Sequence, residues 1–272
     1  MEDLYAYDAF CFDLDGTIYI DQMRLPGVKS FISELRARGK RLLFLTNTSV
    51  HTREDCYTRL LGLDVPCQLE EILTAGYVSG MYLAEHAPDA WVLVIGEEAL
   101  KKELRSFGLT ITEDPHRSTH VLVGMDRQFH YDKLHQAATA VRHGAVLLAV
   151  NPDTCCPVQG DIIPDTGSIL KSIEAASEQE AAVVIGKPSR YYAAKALQLL
   201  DVNSGRCLMI GDRLETDILF GKQNGMKTAL VLTGIASKED VEVMDIVPDY
   251  IWSSLNERSL GVSIHPIRST AL

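Results

Sequence analysis

Four short stretches hold the residues able to do chemistry: Asp13-Leu14-Asp15-Gly16-Thr17, Thr46-Asn47-Thr48-Ser49, Gly186-Lys187-Pro188-Ser189, and Gly211-Asp212-Arg213 with Thr216-Asp217 close behind. Together they offer three or four carboxylates, one lysine and several short hydroxyl or amide side chains, the parts for holding magnesium and phosphate. Asp13 and Asp15 are like charges two positions apart, and such a pair repels unless a cation lies between them. A carboxylate with a reference pKa of about 3.9 is ionised at neutral pH, so Asp13 can attack phosphorus without a base to activate it, giving a labile acyl phosphate. Asp15 would protonate the leaving alcohol and later take a proton from water. That role needs a raised pKa, because an unperturbed Asp is protonated only about one part in a thousand at pH 7. General acid catalysis contributes roughly 10²–10⁴-fold, against the up to about 10²¹-fold that phosphate monoester hydrolysis demands. The larger share is expected from charge stabilisation by the metal and Lys187, and from positioning by Thr46, Asn47 and backbone N–H groups. Gly16 lets the backbone turn toward the ligand, with Thr17 beside it as support. Asp217 follows Thr216, read as a helix N-cap, and is expected to orient the loop and favour the helix dipole.

Each stretch follows a short apolar run, and such runs recur along the chain as AFCFDL, RLLFLTN, WVLVIG, HVLVGM, VLLAVN, AVVIG, CLMIGD and ALVLTG. Near-continuous apolar strands suit a sheet covered on both faces. The segments between them read as helices; Val28, Phe31, Ile32 and Leu35 form one apolar stripe between Pro26-Gly27 and Gly39. Alternating strand and helix predict an α/β fold with a mostly parallel sheet. In such a sheet ligands bind outside the carboxyl ends of the strands, where the four polar clusters fall. Taken singly, Asp-x-Asp-Gly is often a turn, Thr-Asn an N-cap, Gly-Lys-Pro a loop and Gly-Asp a tight turn. Taken together, at strand ends and in a consistent order, they point to function. A phosphate-loop reading of Gly186-Lys187 fails, because Ala181 stands where that motif needs glycine and Pro188 where it needs Ser or Thr.

At 272 residues the chain suits roughly two domains. Its 46% apolar and 23% charged residues are ordinary for a soluble globular protein. A net charge of -11 repels polyanions and argues against nucleic-acid and anionic-membrane partners. The acidic start MEDLYAYDAF does not resemble a signal peptide, and no stretch has the length and apolarity of a membrane span, so a cytoplasmic location is expected. Among six cysteines there is no C-x-x-C pair. Cys11 and Cys207 lie in apolar runs as buried thiols, and adjacent Cys155 and Cys156 are read as incidental rather than as a redox switch. The eight histidines lack zinc-site spacing.

The motifs FDLDGTIY, FLTNTS, IGKPS and IGDRLETDI resemble, in this order, those of the haloacid dehalogenase-like phosphatases. With VGMDRQFHYDKL and NPDTCCPVQGDIIPDTGSI they are similar to subfamily IIA, the NagD, 4-nitrophenyl phosphatase and pyridoxal phosphatase type. The resemblance implies a Rossmann-like core from residues 1 to 84 and 180 to 272, with an inserted α/β cap domain at 85 to 179. It implies Asp13 as nucleophile, Asp15 as acid and base, and Mg²⁺ on Asp13, the Asp15 backbone carbonyl and Asp212. Thr46, Asn47 and Lys187 become phosphate binders. The cap loop from Asn151 to Gly167 is expected to meet the leaving group, with Asp153 as candidate contact or else a turn residue. Asp126 and Arg127 could touch substrate or pair with each other at the end of a cap strand, and the structural role is the one expected. Thr48 stands where many relatives have asparagine, and Asp165 where many have glycine. The expected activity is magnesium-dependent hydrolysis of a small, sugar phosphate-like metabolite, with 4-nitrophenyl phosphate as artificial substrate. A phosphomutase and a receiver-like phosphoacceptor are the alternatives, and a homodimer formed through the cap is expected.

Overall fold

The run Ala9–Asp13 is buried along its whole length, as a strand covered on both faces must be. In the computed structural model, which describes residues 4–158 and 161–256, it lies near the centre of a six-stranded parallel sheet. The order across this sheet is Tyr250–Trp252, Lys227–Val231, Cys207–Gly211, Ala9–Asp13, Arg41–Thr46 and Ile72–Thr74. A second parallel sheet has the order Val183–Val184, Val146–Ala149, His120–Val123, Trp91–Ile95 and Thr110–Thr112. Two antiparallel hairpins complete the strands, Tyr19–Ile20 with Met23–Arg24 and Cys155–Val158 with Asp161–Pro164.

The fold is α/β, and all eight apolar runs become strands. The parallel strands that those runs did not announce, Ile72–Thr74, Thr110–Thr112 and Tyr250–Trp252, are short and each lies at a sheet edge. One placement differs from the sequence reading, which assigns residues from 180 onward to the sheet that carries Asp13. Val183–Val184 instead pairs with Leu148 and Ala149 in the second sheet. The apolar run is equally suited to either sheet; backbone pairing, not composition, decides which one it joins.

Helix boundaries follow local chemistry. Val28–Ala37 buries Val28, Phe31, Ile32 and Leu35, and Gly39 takes a positive φ of 68° that turns the chain toward the next strand. Arg53–Gly62 starts on a capping box in which Thr52 Oγ1 accepts from the Asp55 N–H at 3.2 Å and Asp55 Oδ2 accepts from the Thr52 N–H at 2.9 Å. One apolar cluster runs from Leu73, Val78 and Leu83 on the first sheet's side to Leu100, Leu104 and Leu122 on the second. Polar contacts join the strand ends as well. Ser49 Oγ accepts from the Met125 N–H at 2.9 Å, and Asn151 Nδ2 donates to the Asn47 carbonyl at 2.7 Å. The carboxyl ends of the two sheets therefore meet.

Candidate active site

Three strands of the first sheet and one of the second end at this meeting place, and each delivers one of the four polar clusters. Asp13 closes its strand and is 8% exposed; Lys187, which follows Val183–Val184, is 1% exposed. Lys187 Nζ donates to Asp13 Oδ1 at 2.5 Å and to Asp217 Oδ1 at 2.6 Å, and it reaches the Leu45 carbonyl at 3.4 Å. Burial alone would lower the Lys187 pKa. Asp13 and Asp217 overcome it and hold the ammonium well above its usual range. The other Asp217 oxygen accepts from the Arg213 N–H at 3.1 Å, so this carboxylate fixes both the lysine and the loop after Gly211. Thr216 does not cap a helix: Leu214–Ile218 forms a π-helical turn whose N-cap is Arg213, and the Arg213 carbonyl accepts from the Asp217 N–H at 3.0 Å and, five residues on, from the Ile218 N–H at 3.2 Å.

Asp212 Oδ2 accepts from the Ile235 N–H at 2.8 Å. Burial first, then Asp217, pushes the Asp212 carboxyl up to about 7. Asp13 is likewise raised, by burial and by Asp217 and Asp212, against the opposing pull of Lys187. Asp15 is exposed by area yet closely surrounded by protein, and that partial desolvation raises its pKa despite Arg59 and His51 nearby. Gly16 has φ 80°, and a Cβ there would lie 2.4 Å from Asp212 Oδ2. Thr17 is fully buried, with Oγ1 unpartnered among the described residues.

One oxygen from each of Asp13, Asp212 and Asp217 lies within 4.8 Å of the others. These three buried carboxylates face one ammonium, which leaves two negative charges formally unbalanced. Hard oxygen donors with that surplus suit a small dication such as Mg²⁺.

Thr46 Oγ1 accepts from the Thr48 N–H at 3.2 Å. Asn47 Oδ1 accepts from the Lys187 N–H at 2.8 Å, and its Nδ2 donates to the Lys187 carbonyl at 3.1 Å and to Asp153 Oδ2 at 3.0 Å. Asp153 Oδ1 in turn accepts from Arg213 Nη1 at 3.0 Å. The structure thus brings Asp13, Thr46, Asn47, Asp153, Lys187, Asp212 and Asp217 into one connected region. Asp165 caps the helix Thr166–Ser177, accepting from the Thr166 N–H at 2.5 Å. Asp126 and Arg127 do not pair with each other. Asp126 takes Lys133 at 2.5 Å and Arg127 forms a fork on Glu97 at 2.7 Å, partners presented by neighbouring helices and loops. None of the six cysteines is in a disulfide; burial raises Cys156 to about 11, away from a reactive thiolate.

Three contributors were not singled out by sequence. Tyr192 OH donates to the Leu73 carbonyl at 2.6 Å and accepts from the Thr46 N–H at 3.2 Å, tying two strand ends together from below. Thr233 Oγ1 donates to the Gly16 carbonyl at 2.5 Å, and a Cβ on Gly234 would stand 1.9 Å from Asp212 Oδ2. The signal for the last two was present, since Thr233-Gly234 ends the run ALVLTG as the other clusters end theirs.

Residues 10–110 match the family described as haloacid dehalogenase-like hydrolase, and residues 184–258 match a second family model of HAD-hydrolase-like proteins. The chain is 35% identical over 251 residues to an acid sugar phosphatase of Staphylococcus aureus, covering 92% of this chain and 96% of that protein. Among solved structures, a 4-nitrophenylphosphatase from Thermotoga maritima aligns with a TM-score of 0.88 at 30% identity, over 93% of this chain and 96% of that one. NagD from E. coli K-12 aligns with a TM-score of 0.84 at 31% identity, over 93% and 98%.

Proposed function

Because the chain belongs to the haloacid dehalogenase-like hydrolases and is a phosphatase of that family, we propose that it hydrolyses small sugar phosphate-like esters through a phosphoaspartate on Asp13. The observation that supports this reading is the buried carboxylate at a strand end, held by Lys187 at 2.5 Å and crowded by Asp212 and Asp217. Asp13 attacks phosphorus; the P–O bond to the alcohol breaks, and Asp15 supplies the proton that the departing oxygen takes. Water then attacks the acyl phosphate, Asp15 recovers the proton, and Asp13 leaves with its carboxylate restored. Lys187 offsets charge on the phosphoryl oxygens, while Thr46 and Asn47 line the approach. In this reading Asp13, Asp212 and the Asp15 carbonyl would hold Mg²⁺, and Asp217 keeps Lys187 and the Arg213 loop in place. When bound, the ion supplies charge compensation for the converging anions.

The same reading keeps residues 1 to 84 and 180 to 272 as core and 85 to 179 as cap, with Val183–Val184 lent to the cap sheet. It also carries a cytoplasmic location and self-association through the cap. Among the described residues no helix is long and apolar enough to cross a membrane. The test is a phosphate-release screen over phosphorylated metabolites and 4-nitrophenyl phosphate, ranked by kcat/KM, with and without EDTA. Release from sugar phosphates that EDTA abolishes and magnesium restores is expected. Conversion of a sugar phosphate to its isomer without free phosphate would establish a mutase instead, and full activity in chelator would remove the metal.

A further inference from the structure

The bridge from Asn47 through Asp153 to Arg213 has no part in the chemistry above, yet it joins a cap-loop carboxylate to two donors beside the nucleophile. Both Asp153 oxygens are engaged, one by Asn47 Nδ2 and one by Arg213 Nη1, each at 3.0 Å. The Asp153 side chain is 11% exposed. Its backbone is fixed too. The Asp153 N–H donates to Asn151 Oδ1 at 3.0 Å, and its carbonyl accepts from the Gly167 N–H at 2.7 Å. A carboxamide nitrogen carries two hydrogens, and those of Asn47 go to Asp153 and to the Lys187 carbonyl. With Asp153 docked, the Asn47 side chain has no hydrogen left for an incoming oxyanion. Amide and guanidinium N–H groups are also the donors that recognise phosphate oxygens.

We propose that Asp153 is an internal stand-in for the substrate anion: its carboxylate occupies Asn47 and Arg213 until an entering phosphoryl group takes these donors over and releases the cap loop. The inference rests on the phosphatase reading and makes Asp153 a competitor of phosphate rather than a contact to the leaving group. Two anions cannot share the same donors without repulsion, so phosphate binding and Asp153 docking oppose each other.

The experiment is inhibition of 4-nitrophenyl phosphate hydrolysis by inorganic phosphate, with magnesium present, for the wild type and Asp153→Asn. Asparagine keeps the shape and removes the charge. The inhibition constant for phosphate is expected to fall about fivefold in the variant; an unchanged or higher constant overturns the proposal. A leaving-group contact would leave that constant alone and raise KM for sugar phosphates. If Asp153→Asn does not fold, hydrogen exchange on the wild type decides: saturating phosphate should speed exchange across residues 151 to 158, and unchanged or slower exchange there rejects the latch. A wild type that hydrolyses nothing would instead strike the phosphatase reading, leaving the two failures distinguishable.

Discussion

Asp13 and Asp15 are two residues apart in different media, and in the proposed mechanism this separates their duties. Asp13 is buried against an ammonium, whereas Asp15 is exposed by area in a confined place that raises its pKa. A buried, lysine-paired carboxylate is a fixed nucleophile, and a raised, accessible one can exchange protons with alcohol and water. Asp13→Asn is expected to cut kcat by about 10⁴-fold or more while melting within a few degrees of the wild type. Wild-type hydrolysis in that variant would remove the nucleophile assignment. Asp15→Asn should behave differently toward 4-nitrophenyl phosphate, whose leaving group needs little help from an acid. One equivalent of 4-nitrophenolate is expected in a rapid burst, followed by turnover slowed roughly 10²–10⁴-fold for want of the base. Rapid-mixing absorbance reads both phases, and a linear trace at the wild-type rate would contradict the role.

At the scale of the elements, the strand ends do the positioning and glycines let them come close enough. Asp212 lies between the turn at Gly16 and the loop at Gly234, and a Cβ on either residue would enter its carboxylate, at 2.4 Å and 1.9 Å. These contacts explain why glycine stands at both places, beyond any preference for turns. Gly234→Ala should push Asp212 out of line and raise the magnesium concentration for half-maximal activity by about tenfold or more. Gly62→Ala is the control, because a Cβ there has no neighbour within 4 Å. It lies at the end of the helix Arg53–Gly62 and should change stability by only about 1 kcal/mol or less, with magnesium dependence intact. Equal magnesium requirements in the two variants would show that Asp212 tolerates displacement.

For the whole molecule, the acidic cluster links folding to pH and, in the proposed reading, to metal. Burial pushes the folded Asp212 carboxyl up to about 7, above the reference carboxylate value of about 3.9, so without metal the folded state binds the proton more tightly. Its contribution to stability is fully present below the unfolded value and is lost as pH rises through about 7; Asp13, also raised, acts in the same direction. A dication held by these carboxylates reverses the balance, because it binds the ionised folded form. The rise in Tm on adding magnesium is therefore expected to be a few degrees larger at pH 8 than at pH 6. Asp212→Asn should flatten that difference. Differential scanning calorimetry measures it, and an equal increment at both pH values would argue that no proton competes with the ion.

The amino-acid sequence by itself determined the α/β class, the eight main strands and the four polar clusters that gather at the site. Apolar runs and chemically capable side chains are local properties of the chain. Short edge strands such as Thr110–Thr112 gave too brief a pattern to register. Tertiary structure alone decided which partners meet. Asn47 and Asp153 are 106 positions apart, and Asp153 and Arg213 are 60 apart, so no local spacing encodes their bridge. The same holds for Val183–Val184, apolar enough for either sheet, and for Asp126 and Arg127, adjacent in sequence yet turned to different partners. Side-chain type is written residue by residue, whereas pairing depends on where packing brings distant backbones together.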